Sequence, residues 1–95
     1  MLNLYFLPVA QSEIEAARQW YDDQLPDLGT RFLIAVDGVL ARIQENPQQF
    51  PVVRAVSRRA IINGFPYALY FKVSGGNVYV TGCVHMRRHP RRWRR

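Results

Sequence analysis

The fold is decided by the stretch FPYALYFKVSGGNVYVTGCVH, residues 65–85. Apolar and aromatic side chains recur there at every second position, which is typical of β-strands. The SGGN segment at residues 74–77 separates the two runs and predicts a tight hairpin turn. We therefore expect an antiparallel β-hairpin whose first strand begins at Tyr67 and whose second strand ends at His85.

Alternation assigns the side chains of this hairpin to two faces. In the first strand, one face is expected to carry Tyr67, Leu69, Phe71 and Val73, and the other Ala68, Tyr70 and Lys72. In the second strand, one face is expected to carry Val78, Val80, Gly82 and Val84, and the other Tyr79, Thr81, Cys83 and His85. Tyr67 is thus predicted in the core. Tyr70 lies on the more polar face, with core packing as the alternative.

Two amphipathic helices precede the hairpin. A capping-box spacing predicts that the first begins at Ser12, although Pro8 offers an earlier start. This helix is expected to run to about Leu25, followed by the short break PDLG. The second helix is expected to end near Asn46, because Pro47 disfavours a helical residue before it. Helices joined so tightly lie antiparallel, as a hairpin.

Two further strands are expected, at residues 2–7 and residues 58–62. The predicted fold class is therefore α+β, with the order β-α-α-β-β-β. A helical hairpin packs on a twisted, mainly antiparallel four-stranded sheet. No linker or repeat interrupts the chain, so residues 1–95 are predicted to form a single domain.

Charge divides the sequence into two halves. Residues 1–46 carry three arginines against seven carboxylates, a net charge of −4. Residues 47–95 carry nine arginines and Lys72 and have no carboxylate, a net charge of +10. The planar guanidinium of arginine suits bidentate contact with carboxylate or phosphate. The second half is therefore expected to present a positive face to an acidic partner or a polyanion.

Composition also indicates the compartment. Cys83 is the only cysteine, so no intrachain disulfide forms, which suits a reducing cytosol. The apolar segment MLNLYFLPVA is too short for a signal core or a transmembrane span. We expect a cytoplasmic protein that does not enter a membrane.

Four segments resemble, in order, the RelE/ParE superfamily of toxins from type II toxin–antitoxin systems. They are YDDQLPDLGTRFL, ENPQQFPVVR, RRAIINGFPYALYFKV and VYVTGCVHMRRHPRRWRR. The resemblance covers about residues 10–95. Its most specific parts are FPY before an apolar strand and the ending H-x-R-R-x-P-x-x-W. The pattern is closer to the ParE branch, and it implies a toxin neutralised by a cognate antitoxin from the same operon.

The two branches imply different activities. Toxins of the ParE branch bind DNA gyrase, whereas those of the RelE branch cleave mRNA in the ribosome. The expected function is therefore growth arrest through gyrase inhibition. The alternative is a ribosome-dependent mRNA endonuclease, that is, an mRNA interferase. Whether the chain is an enzyme depends on which branch it follows.

A metal-free ribonuclease needs a base, an acid and positive charge at the phosphate. The candidates for these catalytic roles are His85, Arg87, Arg58 and Tyr70. Arg87 follows His85 at strand spacing, as a base would require, although His85 could instead close the sheet edge by bonding a backbone carbonyl. RelE-type toxins resemble one another in a lysine- and arginine-rich site. Lys72 is the only lysine here, which favours binding over cleavage.

Binding residues are predicted in two places. Contact with the target is expected from the arginine-rich ending, at Arg87, Arg88, Arg91, Arg92 and Trp93. Contact with the antitoxin is expected at Arg59, Tyr70 and Lys72. An acidic and apolar segment of the antitoxin would cover the sheet face there. Toxin and antitoxin are therefore expected to form a hetero-oligomer.

No metal and no cofactor are expected. His85 and His89 are four residues apart, but neither a second cysteine nor a nearby carboxylate completes a ligand set. The arginines interleaved with Trp93 also imply weak, salt-sensitive and nonspecific nucleic-acid binding.

Overall fold

Two α-helices and a five-stranded sheet make up the fold, and the computed structural model describes residues 1–87. The order along the chain is β1 (Asn3–Phe6), α1 (Pro8–Gln24), α2 (Leu28–Glu45), a 3-10 helix (Pro47–Gln49), β2 (Val52–Arg54), β3 (Ser57–Ile61), β4 (Tyr67–Ser74) and β5 (Asn77–His85). The predicted α+β class with a helical hairpin is confirmed.

The predicted count of four strands is wrong, because β2 adds a fifth. The strands lie in the order β1-β5-β4-β3-β2, with β1 parallel to β5 and the remaining pairs antiparallel. The missed strand is only three residues long, so it is too short to show an alternating pattern. It forms because Val52 pairs with Arg58 and Arg54 with Ser57, in a hairpin with a two-residue turn.

Helix α1 begins at Pro8 and not at Ser12. Proline suits the first helical position, because its fixed φ is already helical and the N–H it lacks would have no partner there. The predicted capping box does not form. Glu15 instead accepts hydrogen bonds from Arg18, one turn later in the helix.

Aromatic side chains join the helical hairpin to the sheet. The Tyr21 ring of α1 lies 5.4 Å from that of Phe32 in α2 and 6.0 Å from that of Tyr67 in β4, with Phe65 4.9 Å away. Tyr67, Leu69 and Phe71 all belong to this buried core, as predicted. Edge-to-face contacts of this kind stabilise a pair by about 0.5–1.5 kcal/mol beyond the area they bury.

A β-bulge in β5 changes the predicted faces of that strand. Tyr70 pairs with Gly82 while Phe71 pairs with Val80, so Thr81 is the extra residue of the bulge, and its hydroxyl donates to the backbone oxygen of Tyr70 at 3.2 Å. Because one extra residue reverses the alternation, Cys83 packs in the core beside Val78 and Val80. The prediction that Val84 shares a face with Val78 and Val80 is therefore wrong. Val84 is buried, but beside Ala68, Tyr70 and Gly82 on the face opposite the helices.

The two helices are in close contact at Gly29. A Cβ atom added there would lie 2.5 Å from the backbone oxygen of Arg18 and 2.7 Å from the carboxylate of Asp22. That carboxylate accepts the backbone N–H of Gly29 at 2.7 Å. Since Asp27, the residue before α2, makes no side-chain cap, α1 supplies the acceptor that the start of α2 needs.

We expect Gly29→Ala to destabilise the protein by about 1–3 kcal/mol, because backbone atoms of α1 leave no room for the methyl group. Gly38→Ala is the matched control, since Gly38 lies in the same helix with open space around it. That change should stabilise the protein by up to about 1 kcal/mol through helix propensity. Chemical denaturation of both variants measures the difference. Equal effects at the two positions would contradict the close crossing.

Candidate functional site

The sheet face that the helices leave uncovered carries the candidate site. Arg59 and Tyr70 are directly opposite each other on β3 and β4, and Lys72 follows on the same face of β4. Arg58 points to the other face, as strand alternation predicts. The structure thus brings Arg59, Tyr70 and Lys72 to one face of the sheet, with Tyr70 buried and Lys72 exposed.

Two buried donors lie at the centre of this surface. Tyr70 is 2% exposed, and neither its hydroxyl nor the Nε atom of Arg59 has a hydrogen-bond partner among residues 1–87. Buried polar atoms are nearly always paired, and leaving one unpaired costs about 1–3 kcal/mol. A carboxylate or phosphate oxygen is the acceptor that would satisfy both donors.

His85 closes the other end of β5, next to the core. It pairs with Tyr67, whose ring it meets edge to face at 5.1 Å. Its Nδ1 atom accepts the backbone N–H of Arg87 at 3.1 Å. This bond needs a lone pair on Nδ1, so the neutral ring carries its proton on Nε2. The lone pair of Nδ1 is therefore engaged in a hydrogen bond with the backbone.

The four candidate catalytic residues do not form one site, although Arg87 lies two residues after His85 and its backbone N–H bonds the ring. Arg58 donates to the backbone oxygen of Phe50 at 2.6 Å, on the helix side of the sheet, whereas Tyr70 lies on the open face. Arg58 is opposite Phe71 and His85 is opposite Tyr67. Four residues of β4 separate these positions, about 13 Å at the usual strand rise. No single substrate atom is within hydrogen-bond reach of the whole set.

Most of the predicted target-binding residues lie outside the part of the chain that the structure describes: Arg88, Arg91, Arg92 and Trp93. Arg87, the remaining member of that set, is exposed directly after β5.

Positive charge on the sheet is not neutralised by the acidic helices. Arg54, Arg59, Lys72 and Arg87 form no salt bridge with any carboxylate within residues 1–87. The carboxylates of α1 are engaged elsewhere. Arg18 bonds both Glu15 and Asp22, and its hydrogen bond holds the pKa of Glu15 below the usual value. The positive charge of these side chains is therefore available to an acidic partner.

Sequence patterns did not reveal the role of Glu13. Its carboxylate accepts the backbone N–H of Cys83 at 3.0 Å, which ties α1 to β5 just beyond the bulge. Strand β1 ends at Phe6, opposite Val80, so within residues 1–87 no strand pairs with that side of β5 from Thr81 onward. The sequence feature that could have revealed this contact is the length of β5. Because β5 is longer than β1, its backbone amides beyond the end of β1 need another acceptor, such as a side chain.

Neither a metal site nor a membrane helix is found in the described part of the chain. Across residues 1–87, no three His, Cys, Asp or Glu side chains come close enough to hold a metal ion. Within the same range, no helix combines the length and the apolar character that crossing a membrane requires.

A solved structure of the chromosomal ParDE TA system from P. aeruginosa contains a chain of the same fold. The TM-score is 0.78, over 90% of this chain and 96% of that chain, at 16% sequence identity. No protein-family model matches the sequence, and no curated protein matches it. The ParE-like fold predicted from the four sequence segments is confirmed.

Burial raises the pKa of the Cys83 thiol to about 12, from an ordinary value of 9.0. We expect a thiol-specific reagent to label the folded protein far more slowly than the denatured protein at neutral pH. Comparing labelling rates with and without denaturant measures this. Equal rates would show that Cys83 is accessible.

The same shift predicts how stability depends on pH. The unfolded chain loses this proton near pH 9, whereas the folded chain holds it to about pH 12. The contribution of Cys83 to the free energy of unfolding is therefore complete below pH 9 and is lost as the pH rises from 9 to 12. Cys83→Ala should show a smaller loss of stability over that range, and denaturant titrations at several pH values measure it.

Proposed function

We propose that this chain is a ParE-like toxin of a type II toxin–antitoxin system, acting in the cytoplasm. It binds DNA gyrase, arrests growth and is neutralised by a cognate antitoxin. The observation that carries the proposal is the shared fold with a chain of the ParDE TA system from P. aeruginosa. The unneutralised positive charge of the sheet half supports it, since gyrase engaged with DNA and an acidic antitoxin both attract such a surface.

Binding is favoured over catalysis by the placement of the candidate residues. General acid–base chemistry needs its groups within about 3 Å of the atoms they serve. Arg58 and Tyr70 occupy opposite faces of the sheet, and the Nδ1 atom of His85 already accepts the N–H of Arg87. In this proposal, the arginines at and beyond Arg87 contact the target.

The antitoxin contacts the open face of the sheet. The buried donors of Arg59 and Tyr70 call for an acceptor, and Lys72 adds charge at the margin. An antitoxin segment with a carboxylate and apolar neighbours supplies these features. The resulting complex is a hetero-oligomer.

A supercoiling assay with purified gyrase tests the target. The toxin is expected to inhibit supercoiling and to leave cleaved DNA. No inhibition at micromolar toxin would overturn the gyrase assignment. A translation extract with a defined mRNA is run in parallel, and ribosome-dependent cuts would establish the endonuclease alternative instead.

His85→Ala separates the two activities. A binding toxin should keep most of its gyrase inhibition, because His85 packs against Tyr67 and takes no part in chemistry. A ribonuclease that uses His85 as a base should lose its mRNA cuts. The melting temperature of the variant, measured alongside, shows whether the fold is intact.

Arg59→Ala tests the antitoxin contact. Hydrogen bonds to charged groups contribute about 1.5–3 kcal/mol, so affinity for the antitoxin should fall about 10- to 100-fold. Arg31→Ala, at an exposed position of α2, is the matched control and should leave affinity unchanged. Calorimetric titration of the purified pair measures both. An equal loss for the two variants would place the antitoxin elsewhere.

A further inference from the structure

One corner of the sheet is left uncovered on the helix side. Helix α2 ends at Glu45, and the 3-10 helix that follows it lies beside residues of β2, β3 and β4. The space between forms a groove of about 370 Å³, with Pro47 on one wall and Arg58 among its lining residues. It is separate from the open face that carries Tyr70.

Apolar side chains line this groove without being covered. Val52, Val56 and Val73 are 50%, 66% and 37% exposed, and all three face the groove. Contiguous exposed apolar side chains on a small protein mark a contact surface more often than isolated ones do.

The turn that presents Val56 is strained. Ala55 has a φ of 49°, a left-handed conformation that residues with a Cβ atom adopt at a cost of about 1–2 kcal/mol. Glycine or asparagine would relax it. Ala55 itself lines the groove, so the strained turn forms part of its wall.

The groove continues the surface on which the helices pack. Val52 lies opposite Arg58, which faces the helix side of the sheet, and it lines the groove, whereas the next residue, Val53, does not. A segment lying in the groove would therefore extend the helical layer beyond the end of α2. It would cover valines that the chain itself leaves exposed.

The positive charge of the sheet half indicates which kind of segment could bind in the groove. Within residues 47–87 there are five cationic side chains and no carboxylate, and Arg58 is held in place by its bond to the Phe50 oxygen. A second copy docking through its own groove would bring like charges together, which is unfavourable. A segment with both apolar and acidic side chains can pack on the valines and pair a carboxylate with Arg58.

The geometry points to this groove as a second docking site for the antitoxin, taking an apolar segment flanked by carboxylates. Val52, Val56 and Val73 receive its apolar side chains, and Arg58 receives a carboxylate. This inference rests on the proposed function for the identity of the partner. Binding of an apolar and acidic segment to the groove can be measured in the absence of gyrase.

The probe is a synthetic peptide of alternating glutamate and leucine, titrated into the ¹⁵N-labelled full chain. Amide shifts are expected at Val52, Val56 and Val73, with binding that weakens as salt is added. A lysine–leucine peptide of equal length is the charge control and should not bind. Equal binding of the two peptides, no binding at all, or shifts confined to Tyr70 and Lys72 would overturn the proposal.

Val52→Ser and Val53→Ser are matched variants, since the two residues are neighbours on β2 with similar exposure and only Val52 lines the groove. Peptide affinity should fall about 5- to 10-fold for Val52→Ser and stay unchanged for Val53→Ser. Equal losses would overturn the groove assignment. So would a dimer of the full chain in sedimentation that Val52→Ser disrupts, because a second copy would then be the occupant. Failure of the gyrase assay leaves this titration interpretable, as no target enters it.

Discussion

The one-residue bulge at Thr81, held by the Glu13 carboxylate on the amide of Cys83, is the constraint on which the far end of the sheet depends. Before the bulge, β5 turns its even-numbered side chains to the helices, and after it the odd-numbered ones. Cys83 and His85 therefore lie on the core side, while Val84 is buried on the face opposite the helices. An unbulged strand would expose His85 and bury a different set.

The sequence predicted those parts of the fold that follow from regular periodicity. Both helices and the core face of β4 are confirmed, since each has an uninterrupted 3.6- or 2-residue pattern. The SGGN turn is confirmed as well, since its composition suits a tight hairpin. The bulge could not be foreseen, because it depends on where β1 ends and on a carboxylate 70 residues away. Strand β2 was missed since three residues show no period. For the site, alternation correctly predicted that Arg59, Tyr70 and Lys72 share one face. The groove beside Val52 could not be predicted, because it depends on where the helices end in three dimensions.

The uneven distribution of acids along the chain has a structural reason. Glu13 and Asp22 accept backbone amides at the two places where α1 meets its neighbours, and Glu15 pairs within the helix. These carboxylates hold the helical layer together and do not neutralise the sheet. Fold stability and a cationic surface are thereby assigned to different halves of one small domain, so an acidic partner can bind the sheet half without competing with internal ion pairs.

The place of β5 in the sheet bears on how the protein is made. This strand lies between β1 and β4, yet it follows every other described element in the chain. During synthesis, β1 has no neighbour until β5 has left the ribosome, and α1 lacks the strand that its Glu13 carboxylate binds. Pairing at such long sequence separation also slows folding. The nascent chain therefore remains incompletely folded until translation has passed β5, an interval in which a partner protein can meet it before its surfaces are complete.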